Sequence, residues 1–135
     1  MLNFEGTTHM KLNHTCANCF EDIQYYNSNT LKHAYYDVQT STWISETVDP
    51  TINSGSQNDI AIDINGDIHI AYYSSSDSDL KYAYFDGSQW SIIIVDGLYQ
   101  SVGQYPSIEV DADHVAHITY YDYTNHQLKH ATISH

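Results

Sequence analysis

Three groups of residues have the types and spacing to do chemistry. Cys16-Ala17-Asn18-Cys19 is a single CxxC pair with His9 and His14 nearby. Two thiolates and two imidazoles make a tetrahedral zinc set. Two free thiols are nevertheless the preferred reading, with a local disulfide next and metal after it. Asp63-Ile64-Asn65-Gly66-Asp67 places oxygen-bearing side chains at alternate positions, as a calcium loop does. Asp111-Ala112-Asp113 is a partial copy. No glutamate follows at the closing position of an EF-hand, and Asn65-Gly66 already explains a hairpin turn. Carboxylates also recur in pairs, Asp49 with Asp96 and Asp63 with Asp111. Glycoside hydrolysis needs two such groups facing one sugar, roughly 5–9 Å apart. An aspartate beside a turn more commonly accepts backbone N–H groups, and that reading is preferred for all four. No cofactor is therefore expected. Calcium on Asp63, Asn65 and Asp67, or zinc on His14, Cys16 and Cys19, are the alternatives.

The composition narrows the partners. There are 17 acidic residues against 4 basic ones, a formal net charge of −13, and all four bases are lysines. Nucleic acid binding needs a basic face that displaces counterions, and none can be assembled here. Anionic membranes are disfavoured for the same reason, and arginine clamps on carboxylate or phosphate are impossible. No stretch is apolar and long enough to span a bilayer. The opening residues Met1 to Glu5 have neither a basic nor an apolar region, so no signal peptide is visible.

Chemistry of this kind must be held by a scaffold, and the scaffold is written as a repeat. Leu31-Lys32-His33-Ala34 returns as Leu80-Lys81-Tyr82-Ala83 and as Leu128-Lys129-His130-Ala131, at spacings of 49 (31 to 80) and 48 (80 to 128). Tyr25-Tyr26, Tyr72-Tyr73 and Tyr120-Tyr121 travel with it, as do Trp43 and Trp90. A fixed period of this size marks a repeat architecture. Three of the four lysines recur with it, so they read as parts of the fold.

The central repeat predicts four strands: 59–64, 68–73, 80–85 and 89–95. Asn65-Gly66 marks a type I′ hairpin between the first two, and Asp86-Gly87 a tight turn between the last two. Strands two to four carry bulky residues on both faces, so both faces must be covered. A radial array of blades does this. The expected fold is all-β, a β-propeller of about three four-stranded antiparallel blades per chain. The single domain spans 1–135, with blades at 10–49, 58–96 and 105–135. Residues 1–8 (Leu2-Asn3-Phe4-Glu5) are expected to supply the fourth strand that the third blade lacks. Three blades do not close a ring, and an open array would leave apolar faces bare. Two chains forming a six-bladed homodimer solve this with two-fold symmetry.

The pattern Ile-Asp-x-Asn-Gly-x-x-His-Ile-x-Tyr-Tyr, followed by Leu-Lys-Tyr-Ala-x-x-Asp-Gly-x-x-Trp, resembles sialidase-like, BNR-type propeller repeats. Asp86-Gly87-Ser88-Gln89-Trp90 is similar to an Asp-box, although Tyr84 stands where a Ser or Thr is usual and Gly87 follows Asp86 directly. The resemblance covers roughly residues 22–135. Sialidases of this fold hold a carboxylate with three arginines, and this chain has none, so that site is not implied.

The tyrosines are the best functional lead, 13 of them against 3 phenylalanines. Tyrosine suits both packing and sugar stacking. Those outside the repeat pattern, Tyr99, Tyr105 and Tyr123, are the candidate ligand contacts. Asp77, Asp79, Asn125 and His126 join them from the loops between the second and third strands of the repeats. His69 with His117 and His33 with His130 are repeat-equivalent. Because Tyr82 replaces His33, that position reads as packing with a polar tip. The expected function is non-catalytic recognition with a glycan as ligand. The alternatives are a structural or oligomeric scaffold, or a fragment of a longer propeller without a small-molecule ligand, and then a glycoside hydrolase. No catalytic residue is assigned.

Overall fold

The computed structural model describes residues 10–14, 21–27 and 29–134, the first two stretches by their backbone alone. The described chain is all-β, with every strand pairing antiparallel in one of three sheets. The first sheet is β1 (Met10–His14), β2 (Glu21–Asn27), β3 (Thr30–Asp37) and β4 (Thr42–Asp49), in that spatial order. The second is β5 (Ser54–Ile62), β6 (Ile68–Ser74), β7 (Asp79–Phe85) and β8 (Trp90–Asp96). The third is β9 (Val102–Val110), β10 (Ala116–Asp122) and β11 (Gln127–Ile133). Each is a meander, the outcome expected of short alternating runs joined by tight turns. Residues 1–8, read above as a closing strand, lie outside the described residues, as do Cys16 and Cys19.

Two of the expected details differ. The hairpin at Asn65-Gly66 has positive φ only at Gly66 (φ 90°). The Gly66 amide donates to the Asp63 carbonyl (3.0 Å) and the Asp63 amide to the Asp67 carbonyl (3.1 Å). This is a type I turn closed by a left-handed residue, not a type I′ turn. The Asp63 carboxylate explains the choice: its Oδ1 accepts the amides of Asn65 (2.8 Å) and Asp67 (3.0 Å) and holds the longer loop. His114 occupies the same left-handed place in the third sheet (φ 61°). The second difference is in β8, where Ile92, Ile93 and Ile94 are 39, 47 and 58% exposed. As the outermost strand of its sheet, β8 is not covered on both faces as β6 and β7 are.

The core is built twice. Between the first and second sheets lie Leu31, Ile60, Ile68, Ile70 and Tyr72. Between the second and third lie their repeat counterparts Leu80, Ile108, Ala116, Ile118 and Tyr120. In each case the first strand of one sheet crosses onto the third strand of the sheet before it. Gly55 and Gly103 make this possible. Both have positive φ (96° and 99°), and a Cβ on either would lie 2.7 Å from Leu31 Cβ or 2.6 Å from Leu80 Cα. Leu31 and Leu80 are fully buried in consequence, whereas Leu128, third in the series, is 76% exposed.

Polar contacts repeat with the same logic. The register of β3 with β4 shifts between Leu31 and Lys32, and that of β7 with β8 between Leu80 and Lys81. A bulge of this kind re-aims the residues beside it, here Asp49 and Asp96 at the strand ends. The Tyr72 hydroxyl donates to Asp49 Oδ2 and the Tyr120 hydroxyl to Asp96 Oδ2, both at 2.8 Å. Lys81 lies 3.8 Å from Asp49, and Lys129 pairs with Asp96. Two of the repeated lysines thus join successive sheets.

Candidate functional site

Short turns and connections gather at one end of the sheets because each meander returns there. The turns before β3, β7 and β11 each carry a left-handed residue, Asn29, Ser78 and His126 (φ 64°, 64° and 55°). The connections between sheets are tied to them. The Asn53 amide donates to the Asn29 carbonyl (2.7 Å), the Val102 amide to Ser78 (3.0 Å) and the Tyr123 amide to Ser101 (3.0 Å). The Ser101 amide in turn donates to Thr124 Oγ1 (2.8 Å). One polar surface results, and an aromatic cluster stands at its third-sheet end.

That cluster is Tyr121, Tyr123 and His126. The Tyr121 and Tyr123 rings meet edge-on at 6.5 Å, and Tyr123 meets His126 at 5.7 Å. The Tyr121 hydroxyl lies 3.4 Å from His126 Nδ1. Tyr123 is 61% exposed. Beside the rings, Asn125 Nδ2 donates to Asp122 Oδ2 (2.9 Å) and to Gln100 Oε1 (3.3 Å). Tyr99 precedes Gln100 and is fully exposed. The structure therefore brings together Tyr123, Asn125 and His126, with Tyr99 on the adjoining connection. Tyr121 and Gln100 were missed because Tyr121 reads as a repeat tyrosine and Gln100 as an ordinary loop amide.

The other expected contacts, Asp77, Asp79 and Tyr105, lie outside this cluster, and the Tyr105 ring is 75% exposed. Asp77 binds Lys81 Nζ at 2.7 Å and accepts the Ser74 hydroxyl at 3.0 Å. These two bonds hold its carboxyl below the ordinary aspartate range. Asp79 is buried against Gly97. Burial, then the nearby Asp77 charge, pushes its carboxyl up. Tyr105 belongs to β9, where its amide donates to Gln57 Oε1 (2.6 Å).

The paired aspartates are joints between and within sheets. Burial works against the Asp49 charge, but Thr51, Tyr72 and Lys81 together hold its carboxyl below the usual range. Asp96 is held low in the same way, by Lys129 and Tyr120 against burial. Asp63 Oδ2 receives His114 Nδ1 at 2.8 Å, while Asp111 Oδ2 lies 2.9 Å from His117 Nε2. Asp67 accepts the Tyr84 hydroxyl (2.7 Å), which pushes that phenol up to about 12. Among the described residues, no three His, Cys, Asp or Glu side chains form a group that could hold a metal ion. The Asp63 and Asp67 carboxylates of the expected calcium loop are engaged with backbone amides, His114 and Tyr84. In comparisons with known proteins, no family model matches this chain and no curated protein matches it.

Proposed function

We propose that the protein is a non-catalytic recognition module whose ligand is a glycan, bound at the turn surface of the third sheet. The observation that carries this reading is the Tyr121–Tyr123–His126 cluster, with Tyr123 61% exposed, beside the amides of Asn125 and Gln100. Aromatic faces stack on sugar rings, and neighbouring amides and carboxylates exchange hydrogen bonds with hydroxyls. The inter-sheet bonds of Asp49, Asp63 and Asp96, and the turn amides that Asp111 accepts, support a structural role for the acid pairs over a hydrolytic one.

In the same reading the three sheets are blades of a BNR-like β-propeller, and a second copy completes a six-bladed homodimer. Support comes from the repeated junction. Two successive sheets meet through the same Gly-on-Leu packing and the same Tyr–Asp–Lys contacts, and Leu128 on the third presents the next Leu at 76% exposure. A scaffold role is favoured instead by one feature, the exposed isoleucines of β8.

A glycan array with the unaltered protein and with Tyr123→Ala tests the function. Binding that the substitution abolishes supports the recognition site, and an array without binding overturns it in favour of a scaffold. Light scattering on a sizing column tests the assembly. A mass near twice the chain's 15.4 kDa is expected, and a monomer excludes the homodimer.

A further inference from the structure

A cavity of about 320 Å³ opens between the first and second sheets. His33, Tyr35 and Glu46 line it from the first sheet, and Gly66, Ile68 and Phe85 from the second. Its volume lies at the lower end of ordinary small-molecule sites, about 300–1,000 Å³.

The repeat explains why it is there. Glu46 pairs with His33 across β3 and β4, and the same register position in the second sheet pairs Ile93 with Tyr82. Gly66 has His114 as its counterpart. His114 reaches across the next junction to Asp63, whereas a Cβ on Gly66 would meet nothing within 4 Å. At this junction alone of the two, a histidine replaces the tyrosine, a carboxylate replaces an isoleucine, and the side chain that bridges the gap is absent.

The lining has a definite chemistry. Glu46 Oε1 accepts the indole N–H of Trp90 (2.9 Å) and lies 3.1 Å from His33 Nδ1. Oε2 takes no hydrogen bond from the described residues. Aromatic rings adjoin the carboxylate and one another: its two hydrogen-bond partners, His33 and Trp90, meet edge-on at 5.5 Å, His33 stacks on Tyr35 at 5.8 Å, and Phe85 lies 5.1 Å from Trp90. No lysine lines the cavity and the chain has no arginine, so an anion would meet the Glu46 carboxylate with neither of those cations to offset it. A sugar needs several hydrogen-bonding groups spread around it, and here the charge is concentrated on one carboxylate. Aromatic faces around a carboxylate are what an ammonium group requires, and the net charge of −13 raises the local concentration of cations.

We infer that this inter-sheet cavity binds a small organic cation, an alkylammonium headgroup, with Glu46 as its counter-charge and the surrounding rings as its walls. The inference concerns a site apart from the turn surface and does not depend on the glycan reading. Tetramethylammonium chloride is the probe, titrated calorimetrically into the unaltered protein. Sodium chloride at equal ionic strength is the blank and glucose the neutral comparator. Saturable tetramethylammonium binding is expected, with Glu46→Gln weakening it at least about tenfold, a loss of roughly 1.4 kcal/mol. Gly66→His, which places at 66 the residue that φ 61° accommodates at 114, is expected to fill the cavity and abolish binding. Both variants are compared by thermal unfolding. Should either lose its fold, magnetisation transfer from the probe's methyl protons to the Tyr35 and Phe85 rings of the unaltered protein, both of which line the cavity, decides the question. Absence of saturable binding, absence of that transfer, equal binding of glucose, or binding that survives both substitutions in folded protein would each overturn the inference.

Discussion

The Tyr72 hydroxyl crosses from the second sheet to the first to donate a 2.8 Å hydrogen bond to Asp49, and Tyr120 does the same from the third sheet to Asp96. Asp49 and Tyr72 are 3% and 0% exposed. A carboxylate so enclosed keeps its charge because the hydroxyl of Thr51, the phenol and Lys81 compensate for lost water. Tyr72→Phe leaves that carboxylate under-bonded and is expected to cost about 1–3 kcal/mol in urea unfolding. Tyr120→Phe is expected to cost less, since the Asp96 side chain is 23% exposed and water can take the vacated place. In a double-mutant cycle, Asp49→Asn should shrink the effect of Tyr72→Phe.

The two glycines at the sheet junctions give a second prediction. Gly103→Ala puts a methyl 2.6 Å from the Leu80 backbone at φ 99°. It should destabilise by more than about 2 kcal/mol through combined strain and overpacking. Gly66→Ala carries a similar φ with nothing within 4 Å, so it should cost only the left-handed strain, about 1–2 kcal/mol. Equal losses at the two positions in thermal unfolding would contradict this account of the junction.

Stability should depend on acid in a defined direction. Asp49, Asp63 and Asp96 have carboxyls held below the ordinary value of 3.8. The unfolded chain therefore takes up protons first as pH falls. Their contribution is present above pH 3.8 and is lost as pH drops through the lower folded values. Urea midpoints should hold through mildly acidic buffer and collapse only below that point.

Asp79 should behave in the opposite sense. Its carboxyl is pushed above 3.8, chiefly by burial, so the folded state pays for its charge at neutral pH and is relieved as pH falls through the raised value. Asp79→Asn is expected to raise the unfolding temperature at pH 7. The advantage should vanish as pH approaches 3.8. A variant less stable at pH 7 would assign the carboxylate a bonding role.

Tyr123→Ala tests the recognition surface without touching a core. Its ring is 61% exposed, so unfolding should shift by no more than about 0.5 kcal/mol. Glycan retention should nevertheless fall by about tenfold or more, the scale of one lost stacking contact.

Much of the architecture was legible in the residues. Strands expected at 68–73 and 80–85 stand at Ile68–Ser74 and Asp79–Phe85, because alternation and tight turns are local properties. The strand expected to start at 59 begins at Ser54. Gly55 hid that start: a glycine at positive φ breaks the alternating pattern while the strand continues through a bulge.

The candidate site was legible only in part. Tyr123, Asn125 and His126 share one turn, and a turn is local. Their neighbour Gln100 meets Asn125 across 25 residues of chain, and no pattern of residue types announces that meeting.

By itself the sequence determined the all-β class, the period and the repeated Leu, Lys and Tyr positions, because each follows from side-chain alternation and turn chemistry within a few residues. Only the tertiary structure decided which repeated groups face one another. Tyr72 finds Asp49 and Tyr120 finds Asp96 across the gap between sheets, where glycines with no Cβ let two backbones approach. The same gap stays open beside Glu46 because Gly66 stands where the next repeat has His114. Spacing along one chain records which residue types recur. The free energy of bringing two sheets together decides which of them touch.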